Sequence, residues 1–385
     1  MTFPTSLSRR LLCGGAFLLL AEVAACAPPK PPALQPGTVI SAAPFPGGPS
    51  NATAQRIVYA STAPDGSQIE VSALVVVPKT PRAPSGGRPV VAWLHPTTGI
   101  ATACAPSQGP SPFGQIQGLG LFLSRGYIIV ATDYPGLGTP GTHPYLVGVS
   151  EARAAVDSVR ALQHLPDLQA SNRFAVWGHS QGGHAALFVP DVTAKYAPDL
   201  HLVGVAAAAP VTDVAALLQQ PGEDPLWGGL LSYTVASWSQ VYKLNPADIL
   251  PADGQPAVDR AAQECLETKD QMDQLLSDAA PLNNQPVTPG DAWRARMAEN
   301  SPQPWASGIP AFIAQGARDA VVDPVLTASF AQRLCTAGIP VRYVSLSRGD
   351  HYTAGVRSAG AAAAWISDRF ADRSPKDDCG RAPLR

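Results

Sequence analysis

Charge is scarce in this chain. Asp, Glu, Lys and Arg make up 15% of its 385 residues, where soluble domains ordinarily carry about 25%. The signs nearly cancel, 27 Lys and Arg against 29 Asp and Glu, for a net charge of −2. That balance leaves no basic footprint and excludes nucleic acid as a partner. No Walker or Rossmann glycine pattern occurs, so no nucleotide is implied. No Cys or His falls at a zinc-ligand spacing, so no metal and no other cofactor is expected. Internal repeats and coiled-coil heptads are missing too. The apolar run at residues 11–21 is too short to span a bilayer as a mature helix.

Proline is plentiful, at 40 residues, spread along the chain and concentrated near its start. Residues 1–27 read as an export signal, with Arg9 and Arg10 as its positive region. Ser8-Arg9-Arg10-Leu11-Leu12 is compatible with a twin-arginine signal. Val23-Ala24-Ala25-Cys26 resembles a lipobox, which would make Cys26 the lipidated first residue and attach the protein to a membrane. The rival reading cuts after Ala25-Cys26-Ala27 and discards Cys26; Pro28 is a poor start for that cleavage and favours lipidation. Residues 28–54 read as a semi-rigid Pro-rich spacer.

From residue 55 strands and helices alternate. Residues 56–60 and 70–77 suggest a hairpin. Residues 89–94 and 127–131 are continuous apolar runs, as buried parallel strands are. Residues 113–125 and 150–165 read as helical. Further strands are expected at 173–177, 202–206, 310–315 and 340–344, and a closing helix at 352–371. The expected class is α/β, a mostly parallel sheet with helices on both faces. Residues 212–305 break the rhythm and read as an inserted helical cap, with Leu217, Leu218, Trp227, Leu230, Leu231, Tyr233, Trp238 and Tyr242 forming mostly its own core. The sheet domain is then 55–211 with 306–374, and 375–385 is a tail.

Trp177-Gly178-His179-Ser180-Gln181-Gly182-Gly183 holds G-x-S-x-G between an apolar strand and a helix former that runs to Pro190. That is the context of a nucleophile elbow. A serine hydroxyl is a weak nucleophile and must stand clear of the backbone for an imidazole to take its proton. An acid after a late strand and a histidine after the last strand complete the order Ser…Asp…His of α/β-hydrolases. Ser180, Asp319 and His351 are the candidates; Asp323 is the rival acid, and Asp350 reads as a turn residue. His179 and His184 flank the elbow and read as packing or hydrogen-bonding residues. Two backbone N–H groups must face the developing oxyanion. Gln181 supplies one; in the loop His95-Pro96-Thr97-Thr98-Gly99, Pro96 has no N–H, so Thr97 supplies the other.

These stretches, with Cys104-Ala105-Pro106-Ser107, Asp133-Tyr134-Pro135-Gly136-Leu137-Gly138 and Gly316-Ala317-Arg318-Asp319, resemble the secretory lipase family of α/β-hydrolases over most of residues 55–370. The chain has His95-Pro96 where other members have His-Gly. The resemblance implies an α/β-hydrolase fold with a helical cap, and a serine esterase or lipase acting on acyl esters, small or lipid, through an acyl-enzyme. Cys104, Cys265, Cys335 and Cys379 form an even set with three possible pairings in an exported chain; the resemblance implies Cys104–Cys265 and Cys335–Cys379. A peptidase or acyltransferase on the same triad, or a lipid-binding lipoprotein without catalysis, are the alternatives, since a fold does not fix the reaction.

Overall fold

A computed structural model describes residues 34–79, 82–219 and 224–380. The expected export signal and Cys26 lie outside the described residues, as does the end of the tail. Among the described residues nine strands form one sheet in the order β1-β2-β3-β5-β4-β6-β7-β8-β9. Strands β1 (Val39–Pro44), β2 (Ala52–Thr62) and β3 (Gln68–Pro78) pair antiparallel, and β3 pairs antiparallel with β5 (Ile128–Thr132). From β5 on, β4 (Arg88–Leu94), β6 (Ala170–His179), β7 (His201–Ala208), β8 (Ala311–Gly316) and β9 (Val341–Leu346) run parallel.

The parallel strands are apolar on both faces because helices cover both. On one face α2 (Gly148–Gln163), α3 (Gln181–Tyr196) and α9 (Pro324–Thr336) bury Val90, Ala92, Val176, Val205 and Ile313. On the other, α1 (Leu119–Leu123) and α10 (His351–Phe370) bury Val91, Trp93, Trp177, Ala206 and Phe312. Trp93 and Trp177 are register partners on β4 and β6, with ring centroids 5.9 Å apart.

Between β7 and β8 come α4 (Val214–Gln219), α5 (Trp227–Val241), α6 (Gln255–Ala261), α7 (Lys269–Ala279) and α8 (Asp291–Glu299). They enclose a separate apolar cluster containing Leu217, Leu218, Trp227, Leu230, Leu231, Tyr233 and Trp238, with Tyr242 packed against it. Among the described residues no helix is long and apolar enough to cross a membrane.

Three local readings change. Part of the expected spacer is β1, an edge strand on β2. Extended proline-rich backbone lies close to β geometry, and an edge strand tolerates Pro44 at its end. The expected helix at 113–125 shrinks to α1, because Gly118 takes φ +84° just before it. Pro190 does not end the helix after the elbow; α3 carries it inside.

The elbow is set by close backbone contact. A Cβ on Gly182 would stand 1.9 Å from the carbonyl oxygen of Leu94 at the end of β4. One on Gly178 would stand 2.2 Å from the carbonyl oxygen of Gly182. Both obstacles are backbone and cannot rotate away. Gly182→Ala is expected to cost about 3 kcal/mol or more, the upper end for overpacking. Denaturant unfolding checks this; an unchanged midpoint would show that the β4–α3 gap can open freely.

Candidate active site

Four loops at the carboxyl ends of parallel strands meet where ligands of open α/β sheets bind. The turn after β6 presents Ser180 with φ +56° and ψ −118°, a conformation that side chains avoid. It is tied down on both sides: the Ser180 N–H donates to the Ala208 carbonyl at 2.9 Å, and its own carbonyl accepts from the His184 N–H at 2.9 Å.

His351 is the first residue of α10, after the short loop that follows β9. Its Nε2 lies 2.8 Å from Ser180 Oγ and its Nδ1 lies 2.9 Å from Asp319 Oδ2. Asp319 follows β8. Its Oδ1 accepts from the N–H groups of Val321 and Val322 at 3.0 and 2.8 Å, and Oδ2 also accepts from the Gln315 side chain at 2.9 Å. Both oxygens thus act as acceptors, as an ionised carboxylate requires. Ser180, His351 and Asp319 are all buried.

The rival acid, Asp323, is exposed and caps α9, accepting from the Val325 N–H at 2.8 Å. It is not brought to His351. Asp350 is more than a turn residue: with Thr353 it forms the capping box that starts α10. That cap places His351 in the first helical turn.

Thr97 lies in the loop after β4, its Oγ1 2.9 Å from Tyr145 Oη. Gln181 opens α3. The contact of Gly182 with Leu94 and His95 sets these two segments side by side. The insertion clamps the same loop from outside. The Leu266 N–H donates to the Thr98 carbonyl at 2.9 Å, Gly99 and Cys265 form an antiparallel bridge, and a disulfide joins Cys104 to Cys265. A second disulfide joins Cys335 to Cys379. Tyr352, beside His351, donates to both carboxylate oxygens of Asp224, just before α5, at 3.1 Å.

Sequence reasoning passed over two glutamines. Gln315 holds Asp319; its one signal is a polar residue at the end of an apolar strand. Gln117 donates to His179 Nδ1 at 3.3 Å, and His179 Nε2 in turn donates to the His351 carbonyl at 2.9 Å. Of the two roles expected for His179, the hydrogen-bonding one is therefore seen, and it helps hold His351 in place. His184 meets Glu151 at 3.4 Å. Among the described residues no group of three or more His, Cys, Asp or Glu could hold a metal ion.

Burial keeps several histidines neutral. It lowers His95 to about 4, and His143 and His179 to about 3. In the unfolded chain these rings take up protons near 6.5. Folded pKa values below unfolded ones stabilise above pH 6.5, and that stability is lost as pH falls toward the folded values. Burial also pushes Asp157 up to about 6 and raises Asp133, and these two act in the opposite sense. The three rings outweigh the two carboxyls, so stability is expected to fall as pH drops below about 6, on the order of 1–3 kcal/mol per pH unit. Tm measured across pH 4–8 tests this; a flat profile would show that the buried rings charge without cost.

The family described as Secretory lipase matches residues 117–378. Lipase A of Moesziomyces aphidis is 23% identical over 363 residues, 87% of this chain and 76% of that protein. A probable inactive lipase of Mycobacterium tuberculosis is 23% identical over 355 residues, 86% of this chain and 76% of that protein. The crystal structure of Candida antarctica lipase A in its closed state superposes with a TM-score of 0.73 at 18% identity, covering 90% of this chain and 85% of that one.

Proposed function

The chain belongs to the secretory lipase family, and from that premise we propose that it is an exported serine ester hydrolase working through an acyl-enzyme on Ser180. Membership alone does not make a chain catalytic, since one relative is described as probably inactive. The observation that carries the reading is the unbroken run from Ser180 Oγ to His351 Nε2 at 2.8 Å and from His351 Nδ1 to Asp319 Oδ2 at 2.9 Å.

The steps follow from that geometry. Ser180 Oγ attacks the ester carbonyl carbon while its proton passes to His351 Nε2. Asp319 stabilises the imidazolium without taking a proton. The carbonyl oxygen becomes an anion, held by the backbone N–H groups of Thr97 and Gln181. Collapse breaks the bond to the alcohol, which leaves with the proton from His351. Water then repeats the sequence on the acyl-serine, with His351 as base, and releases the acid. The separate apolar core of the insertion supports a cap (residues 212–305) over the site, as Tyr352 and Asp224 do by linking the two parts.

Ser180→Ala is expected to lower kcat on a p-nitrophenyl ester by at least about 10³, and Asp319→Asn by roughly 10²–10⁴, both with the fold intact. Asp323→Asn should change kcat less than about tenfold, as a surface cap does. Near-normal turnover by pure Ser180→Ala protein would end this reading. A crippled Asp323 variant beside a healthy Asp319 variant would reassign the acid. The same panel tested on aminoacyl anilides separates an esterase from a peptidase.

For the amino-terminal region we propose cleavage before Cys26 and lipidation of its thiol, with a proline-rich tether to the sheet. Intact-mass measurement of protein from its native host should show the diacyl addition on Cys26. A mature chain beginning at Pro28 without lipid would make the protein freely secreted.

A further inference from the structure

Glu151 lies in the first turn of α2 and is fully buried. The ester chemistry above makes no use of it. Its Oε1 accepts from the side chain of Gln181 at 2.7 Å and from the Leu146 N–H at 3.1 Å. Among the described residues its Oε2 has no hydrogen-bond partner and stands 3.4 Å from His184 Nδ1, which has none either. His184 Nε2 lies 2.8 Å from the Asn300 carbonyl. A carbonyl only accepts, so Nε2 carries a hydrogen. A neutral ring beside an ionised Glu151 would set two bare acceptors against each other in a dry interior, a costly arrangement. One proton between them relieves it, carried either on the ring or on the carboxyl.

Gln181 is held from a second direction. Its amide nitrogen also lies 3.0 Å from His143 Nε2. His143 Nδ1 donates to the Pro135 carbonyl at 2.9 Å. Burial keeps that ring neutral, so Nε2 offers a lone pair. Both amide hydrogens of Gln181 are therefore fixed, one on Glu151 and one on His143. The backbone N–H of the same residue sits in the first turn of α3, where N–H groups lack partners within the helix. Asn300, at the end of α8, joins this cluster to the insertion. Its side chain accepts from the Gly148 N–H at 3.2 Å and donates to Tyr242 Oη at 2.8 Å.

We propose that Glu151 is a positioning residue for the oxyanion donor, acting through the Gln181 side chain, with His184 sharing the proton that lets its carboxyl remain buried. The proposal rests on the reading in which Ser180 is acylated and the Gln181 N–H binds the oxyanion. Donor aim matters because misplacing a catalytic group by about 1 Å can cost about 10²-fold. Removing the Gln181 side chain leaves its backbone N–H in place but frees it to drift. Replacing Glu151 by Ala does the same one step back.

Steady-state kinetics on a p-nitrophenyl ester, with rates expressed per serine titrated by fluorophosphonate, test the idea. Gln181→Ala and Glu151→Ala are each expected to lower kcat about 10- to 100-fold with KM within about threefold, the scale of a weakened oxyanion contact. The double variant should fall no further than the worse single, because the two act in one path. Glu151→Gln should recover several-fold over Glu151→Ala, since its amide oxygen can still accept from Gln181 and its NH2 can donate to a neutral His184. A wild-type kcat for Gln181→Ala overturns the proposal, as do losses that multiply in the double variant. So does a Glu151→Ala protein that loses only folded fraction. If Glu151→Ala does not fold, Gln181→Ala and Glu151→Gln decide. An active Ser180→Ala protein would instead remove the reading beneath the proposal, which keeps the two failures distinct.

Discussion

The contact between Gly182 and the Leu94 carbonyl is the constraint on which the site depends. With no Cβ in the way, the start of α3 closes onto the end of β4. That approach forces the turn at Ser180 into a positive φ and lifts the serine out of the strand. It also brings Gln181 beside the loop that carries Thr97. The strain is held by ordinary forces: two backbone hydrogen bonds at Ser180 and the apolar layers on both faces of the sheet.

Around that contact the molecule spends little charge. Around the triad, several buried polar groups are arranged as donors and acceptors of fixed sense. His179 is held neutral by burial, so its Nε2–H can serve the His351 carbonyl while its Nδ1 accepts from Gln117. Asp319 is saturated by two backbone N–H groups and Gln315, which leaves the remaining approach to His351. Each arrangement limits the rotamers open to His351 and Asp319.

The insertion takes part in this order. Its residues Cys265 and Leu266 reach the loop after β4 through a disulfide, a bridge and a hydrogen bond, while Asn300 reaches α2 and α3. The segment that departs most from the alternating βα rhythm is therefore fastened to the loop after β4 and to the helices α2 and α3.

Much of this was legible in the amino-acid order alone. The apolar runs around Val91, Ile129 and Val176 mark buried strands because a strand covered on both faces is apolar on both. The G-x-S-x-G turn carries its own local geometry, and Ser180, Asp319 and His351 stand in an order that strand–loop alternation can reveal. Other features depended on distance in space between residues far apart in the chain. Asp319 and Asp323 differ by four positions, and only the packed loop shows one facing His351 and the other capping α9. Glu151, Gln117 and Gln315 carry no motif; their roles arise because buried polar atoms must find partners, and the fold decides which are within reach. Pro190 inside α3 and β1 within a proline-rich stretch show the same rule: local propensity sets a preference, and tertiary packing, where it is strong enough, overrides it.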